Sequence, residues 1–193
     1  MTSKKTHYHP NELKRGSVAL LWFLSMITLG IYGAVWYYLR AKEIDKEKIP
    51  SKLNQNLTIA YIIITSALIA LRIPLNLFPQ ENVLYIILII PIILLSLTSL
   101  VFYFILAFTT RDILNDIIEK KGNSTRLSGF LTFIFSYLYL QYEINRIIED
   151  RENEKRTAPW VWFLVIIGLV ILLFIIMIIF IIAMIYASGA GIM

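Results

Sequence analysis

The hydrophobic pattern divides the chain into five apolar blocks separated by polar or charged segments. Three blocks, about residues 57–77, 83–108 and 160–187, are long enough, at about 1.5 Å per helical residue, to cross a hydrocarbon layer of about 30 Å. The other two, about residues 17–39 and 127–142, are respectively interrupted and short. The pattern therefore predicts an all-α integral membrane protein whose topology depends on the two irregular blocks.

The first irregular block, residues 17–39, is interrupted near its middle by Gly30 and Gly33. Trp22 and Trp36 are too close together to mark the two interfaces of one span, because a helix covers only about 21 Å between them. Glycine accepts the backbone conformations of turns. The block is therefore predicted to consist of two half-helices that enter and leave the membrane through one face. The alternative is a continuous helix whose small residues pack closely on a neighbour.

The second irregular block, residues 127–142, has sixteen residues, which is below the usual length of about 17–25 for a span. It is likewise predicted to be re-entrant or interfacial. Just before it, residues 109–121 place four apolar side chains on one helical face. This segment is predicted to be a separate helix that lies along the inner membrane surface.

The distribution of lysine and arginine distinguishes two topologies. If all five blocks cross, eight of these residues lie on one side and nine on the other. If residues 17–39 and 127–142 dip and return, seventeen of the eighteen lie on one side and only Arg72, within a span, remains. The positive-inside rule favours the biased arrangement. We therefore predict three transmembrane helices and two re-entrant elements, with a cytoplasmic N-terminus and an external C-terminus, and five transmembrane helices as the alternative.

Composition limits the possible chemistry. The chain is 58% hydrophobic and 16% charged and contains no cysteine, so disulfides, thiolate catalysis and cysteine-ligated metals are excluded. The apolar blocks contain no Asp, Glu or His, which proton relays and ion-coupled carriers usually need. The formal charge of +5 comes from residues that flank apolar blocks, which favours anionic lipid headgroups over nucleic acid as partners. No cofactor or metal is predicted.

Two segments of the chain resemble each other. Phe23-Leu24-Ser25-x-Ile27 matches Phe130-Leu131-Thr132-x-Ile134, and after a gap of seven residues Glu43-Ile44-Asp45 matches Glu143-Ile144-Asn145. Weak internal symmetry is common among membrane folds built from repeated units, and chance similarity between apolar segments is the alternative. We interpret residues 1–193 as a single membrane domain, with a basic cytoplasmic arm at 1–16 and repeat-like units at 17–108 and 109–193.

The repeated segments also carry a family resemblance. A TLGIY-x-x-x-W pattern, followed by an acidic pair, resembles the signature of a small prokaryotic membrane-domain family of unknown function. The Q-x-E-I-N sequence in the second segment resembles its weaker second motif. The resemblance implies residence in a prokaryotic plasma membrane and no particular activity. The candidate motif residues are Thr28, Gly30, Tyr32, Gly33, Trp36 and Tyr37.

A second candidate group lies just outside the apolar blocks, at the predicted inner interface. Its members are polar or charged: Arg40, Glu43, Asp45, Gln141, Glu143, Asn145 and Arg146. If the two segments are pseudo-symmetric, Glu43 and Asp45 are expected to face Glu143 and Asn145. Carboxylate and amide oxygens suit hard cations that bridge lipid phosphate, but charges of this kind usually pair with neighbouring side chains.

Three functions are compatible with these features. The first, favoured by the lack of ionisable residues in the apolar blocks, is a non-catalytic accessory or scaffold subunit of a larger membrane complex, or a lipid-organising protein. The second is a small transporter or channel component, because irregular backbone at membrane depth is buried in protein or lines a cavity. The third is an interfacial lipid-modifying enzyme that uses Glu43, Asp45, Glu143 and Asn145. Other membrane subunits, or further copies of this chain, are the expected protein partners.

Overall fold

A computed structural model describes residues 10, 13–47, 49–75, 83–151, 154, 168, 171–180 and 184. The chain forms two units, residues 1–153 and residues 154–193. Most of the described residues are helical, and no β-strand occurs among them. The all-α prediction is therefore confirmed. Most of the predicted arm at 1–16 lies outside the described residues.

The first unit begins with two helices separated by a turn: α1, Val18–Ile27, and α2, Ile31–Lys46. The Ser17 side chain caps α1 by accepting a hydrogen bond from the amide of Leu20 at 3.3 Å. Because the chain turns at residues 28–30, the continuous-helix alternative for residues 17–39 is wrong. The predicted location of the break is correct only for Gly30, since Gly33 lies within α2.

Two long apolar helices follow: α3, Gln55–Leu75, and α4, Val83–Lys120. Both are long and apolar enough to cross a membrane. Within the most apolar 18-residue stretch of each helix, only 17% of the residues of α3 and 6% of those of α4 are buried. The buried core helix of a soluble protein would show the opposite distribution. The exposed apolar side chains of α3 and α4 are therefore those expected of membrane helices.

The predicted surface helix at residues 109–121 is wrong as a separate element, because α4 continues through it to Lys120. No glycine or proline interrupts residues 92–121. The four apolar side chains of this stretch are buried within the protein rather than against a lipid surface: Ile113, Leu114, Ile117 and Ile118. The predicted boundary between units at 108 and 109 falls inside this continuous helix.

The last helix of the first unit is α5, Gly129–Ile148. Ser128 caps it by accepting a hydrogen bond from the amide of Leu131 at 3.3 Å. The helix is broken at Ser136, whose backbone angles are φ 40° and ψ −120°. Both segments of the predicted repeat therefore consist of a serine-capped half-helix, a break and a second half-helix that ends among charged residues.

The core of the first unit is formed by buried side chains of α2, α3, the C-terminal part of α4 and the second half of α5, with α3 packed on both α2 and α4. Among its fully buried side chains are Tyr37, Ile44, Leu106, Tyr139 and Ile144. The packed interior is thus close to the charged ends of the helices, whereas the apolar parts of α3 and α4 remain exposed.

In the second unit, the described helix is α6, Ile171–Phe180. Every side chain in it is apolar and exposed. The remainder of the predicted third span, residues 160–187, lies largely outside the described residues.

Candidate functional site at the junction of two broken helices

The turn between α1 and α2 has left-handed backbone at Leu29 (φ 52°) and Gly30 (φ 95°). The amide of Gly30 donates to the carbonyl of Ser25 at 2.7 Å, and the amide of Leu29 donates to that of Met26 at 3.2 Å. This pair of hydrogen bonds is a Schellman motif, with leucine at a position that usually holds glycine. A leucine in this conformation costs about 1–2 kcal/mol, so the turn keeps an exposed apolar side chain at an energetic cost.

Thr28 connects the two helices through its side chain. Its hydroxyl donates to the carbonyl of Leu24 at 2.8 Å and accepts from the amide of Tyr32 at 2.9 Å. The threonine therefore closes α1 and opens α2 at once. Every amide from residue 28 to residue 32 donates a hydrogen bond within the turn. The TLGIY segment is thus a self-satisfied connector, and its Leu29 side chain is 72% exposed.

Gly33 allows α2 to approach α5 closely. A Cβ atom at this position would lie 3.0 Å from Cε1 of the Tyr137 ring, which is closer than side chains normally approach. Its function is therefore close packing rather than a turn. Glycine suits this position because it has no side chain.

Two hydrogen bonds join α2 directly to α5. The indole Nε1 of Trp36 donates to Oε1 of Gln141 at 2.7 Å. One residue along, the Tyr37 hydroxyl lies 2.5 Å from the Ser136 hydroxyl, and either can donate. Trp36 is buried within the protein. The break in α5 at Ser136 is therefore held by the first repeat segment.

Residues 13–17 cross both segments, and we call this region, with the facing parts of α2 and α5, the junction. On the α2 side, the Arg40 guanidinium donates to the carbonyl of Lys14 at 2.9 Å, and the amide of Lys14 donates to Glu43 at 3.2 Å. On the α5 side, Asn145 accepts from the amide of Gly16 at 3.1 Å and donates to its carbonyl at 2.8 Å. Side chains from the two repeat segments thus hold the backbone of one short segment two residues apart, at Lys14 and at Gly16.

Two ion pairs at the junction, one on α2 and one on α5, are largely buried. Arg40 pairs with Glu43, and Arg146 pairs with Glu143 at 3.4 Å. Burial lowers the pKa of the Arg40 guanidinium, and the neighbouring Glu43 carboxylate opposes that shift. Removing one member of such a buried pair leaves a charge without its partner, which usually costs more than the pair itself contributes.

The four residues predicted to face one another have different partners in the structure. Glu43 and Asn145 both contact the segment at residues 13–17, and Glu143 pairs with Arg146. Asp45 accepts from Gln55 at 2.9 Å and pairs with Lys52 at 3.3 Å. Within the part of the chain that the structure describes, no three His, Cys, Asp or Glu side chains are grouped so that they could hold a metal ion.

A cavity of about 540 Å³ lies beside the C-terminal end of α4 and the loop at residues 122–126. Its lining includes Asp112, Asp116 and Glu119 on α4 and Arg126 in the loop. Ser51 hydrogen-bonds to Asp116. None of the predicted site residues is in the lining as the structure describes it, so the cavity adds nothing to the junction.

The sequence reasoning did not identify three parts of the junction: Lys14, Gly16 and Ser136. Gly16 and Lys14 act through their backbone, which carries no sequence signal. Gly16 also packs against Gln141, whose side chain lies 3.1 Å from where a Cβ atom would stand. The alignment of the two repeat segments places Ser136 opposite Trp36, and this was the available indication that it belongs to the site.

A protein-family model described as a domain of unknown function, DUF4234, matches residues 16–116, more than half of the chain. The chain belongs to this family. The expectation of a family of unknown function is therefore confirmed. The DUF4234 match covers α1 to α4 almost completely and ends before α5, so it includes the α2 side of the junction. Comparison with curated proteins and with solved structures gave no match.

Proposed function

We propose that this DUF4234 protein is a non-catalytic integral membrane protein that serves as an accessory or scaffold subunit of a larger membrane complex and organises the surrounding lipid. One observation carries the proposal. The polar side chains with catalytic potential at the junction are engaged with protein groups: Arg40 and Glu43 with Lys14, Gln141 with Trp36, and Asn145 with Gly16. Side chains that form hydrogen bonds to other protein groups stabilise the fold.

The topology that we propose has three transmembrane helices and two re-entrant elements in a prokaryotic plasma membrane. The N-terminus is cytoplasmic and the C-terminus external. The exposed apolar surfaces of α3, α4 and α6 and the one-sided distribution of lysine and arginine support it. The two breaks, at residues 28–30 and at Ser136, fall in the two blocks for which that distribution requires a return to the same side.

The exposed surfaces suggest which molecules the protein contacts. Apolar side chains along α3 and α4 suit acyl chains or the helices of other membrane subunits, including copies of this chain. Basic residues at the helix ends, such as Arg15, Lys42 and Lys46, suit anionic headgroups. The scaffold function requires both kinds of contact.

The test is purification of the tagged protein from its native membrane, with mass spectrometry of the proteins and lipids that accompany it. A protein partner at fixed stoichiometry is expected, and Asn145→Ala should reduce its recovery because the junction is loosened. Asp112→Asn, which changes an exposed side chain outside the junction, is the matched control. A lipid conversion that disappears in Glu43→Gln and Glu143→Gln, with folding intact, would instead establish an enzyme. Solute flux through the purified protein would establish a transporter.

A further inference from the structure

Helix α4 provides a scale for depth, because no glycine or proline interrupts it from Ile92 onward and its apolar part ends at Arg111. Each residue before Arg111 corresponds to about 1.5 Å of helix. Contacts between α4 and the broken helices therefore give the depth of each break relative to the first charge at the end of the span.

The second broken helix enters at the level of Arg111, since a guanidinium nitrogen of that residue lies 2.9 Å from where a Cβ atom of Gly129 would stand. Four residues later, Phe133 stacks on Phe104 with ring centroids 4.9 Å apart and an angle of 4°. The break at Ser136 is seven residues from Gly129, or about 10 Å along the helix. Phe104 is likewise seven residues from Arg111, so this element ends at about 10–12 Å.

The first broken helix reaches deeper. Tyr37 is joined to Ser136 at that same level, and α2 extends six residues further to Ile31, which adds about 9 Å. Helix α1 gives a second measurement. It starts beside Asn145, which is nine residues from Ser136 and therefore near the level of Arg111, and its ten residues cover about 15 Å. The path along α1 and the path along α2 together place Leu29 at about 15–20 Å.

The exposed surfaces of the turn at residues 28–30 and of the first half of α5 are apolar. Ile27 and Leu29 are 63% and 72% exposed, and Phe130 and Phe133 are 67% and 53% exposed. The turn at residues 28–30 satisfies its own amides, as backbone in a hydrocarbon environment must. Basic side chains are found only at the opposite ends of these half-helices. This combination suits acyl chains at the break and anionic headgroups at the helix ends.

We propose that the two broken helices enter the membrane from its inner face to unequal depths, the first to about 15–20 Å and the second to about 10–12 Å, where the turn at residues 28–30 and the first half of α5 contact acyl chains. The inference rests on the membrane topology proposed above and names its lipid partner. Neither element reaches the outer headgroups of a hydrocarbon layer about 30 Å thick. The protein therefore occupies more cross-sectional area in the inner leaflet than in the outer one.

The chain contains no cysteine, so single cysteines can be introduced without other changes. The two test variants are Leu29→Cys and Phe133→Cys. Three exposed positions of α4 serve as the scale, at about 9, 15 and 21 Å from Arg111: Ile105→Cys, Val101→Cys and Leu97→Cys. Each variant is labelled with a nitroxide in vesicles of phosphatidylethanolamine and phosphatidylglycerol. Its depth is then measured from collisions with oxygen and with a water-soluble nickel complex.

The Leu29 label is expected to report a depth between those of Val101 and Leu97, and the Phe133 label a depth equal to that of Ile105. A Leu29 label near the outer surface would overturn the inference, since the first element would then cross. A Leu29 label that neither oxygen nor nickel reaches would also overturn it, because protein rather than lipid would cover the turn. If the three positions of α4 themselves show no depth gradient, the membrane topology proposed above fails instead.

Discussion

Removal of the Asn145 side chain is expected to release the N-terminal segment from the junction. The amide makes three hydrogen bonds: it accepts from Gly16, donates to Gly16 and accepts from Gln141 at 2.9 Å. A protein hydrogen bond contributes about 0.5–1.5 kcal/mol net. Because these groups are only partly buried, water replaces some of the loss. We therefore expect Asn145→Ala to weaken docking of the segment by about 2 kcal/mol, or about 30-fold in its open population.

Limited trypsin digestion in lipid nanodiscs measures that population. Cleavage after Arg15 requires the backbone at Gly16 to leave the junction, although the Arg15 side chain itself is exposed. When opening and closing are fast, the cleavage rate follows the open fraction. Asn145→Ala should therefore be cut at this bond about 30-fold faster than the unchanged protein.

Glu149→Gln is the matched control. It removes the ion pair between Glu149 and the exposed Arg15, at 2.9 Å, and leaves the backbone hydrogen bonds in place. An exposed ion pair contributes about 0–1 kcal/mol, so this variant should be cut less than about fivefold faster. Equal cleavage rates in Asn145→Ala and the unchanged protein would refute the conclusion that side chains of α5 hold the segment.

Three further substitutions test the turn and the contacts between the two repeat segments. Gly33→Ala should lower the free energy of unfolding by about 1–3 kcal/mol, because the new methyl group meets the Tyr137 ring; chemical denaturation in detergent measures this. Trp36→Phe leaves the buried oxygen of Gln141 without its indole donor and should cost about 1–3 kcal/mol in the same assay. Thr28→Val keeps the side-chain shape but removes both hydrogen bonds of the hydroxyl, with an expected loss of about 1–2 kcal/mol.

Each substitution has a control. Gly168→Ala places a methyl group where no atom of the described residues lies within 4 Å and should not destabilise the protein. The double variant Trp36→Phe with Gln141→Leu should lose less than the sum of its parts, since no unpaired oxygen remains. Thr28→Ser restores the hydroxyl and should recover most of the loss. If Gly33→Ala proved as stable as the unchanged protein, close packing would not explain the glycine.

The sequence predicted the features that depend on composition and periodicity. Hydropathy alone predicted both ends of α3 to within two residues, since 57–77 was predicted and Gln55–Leu75 is observed. It also predicted that α4 starts at residue 83. The glycine pair and the spacing of Trp22 and Trp36 predicted that residues 17–39 are not one continuous helix. These signals are local, so neighbouring residues are sufficient to interpret them.

The sequence failed where distant residues decide the outcome. Residues 109–121 have the pattern of a surface helix, but their apolar face is buried by the rest of the unit. Gly33 was assigned to the turn because nothing nearby indicated that the Tyr137 ring packs on it. The polar candidates Glu43 and Asn145 were expected to meet, and instead they hold the backbone at Lys14 and Gly16, for which no side-chain pattern exists.

The hydrogen bonds between Gly16 and Asn145 join residues that are 129 positions apart. At a synthesis rate of about 5–20 residues per second, roughly 6–26 s pass between the production of the two residues. In the topology that we propose, the first half-helix can enter the membrane during that interval, but the side chain that fixes its starting point does not yet exist. In that topology the element that is made first is completed last, and the cell's insertion machinery must accommodate an unfinished hairpin until the fifth helix has been translated.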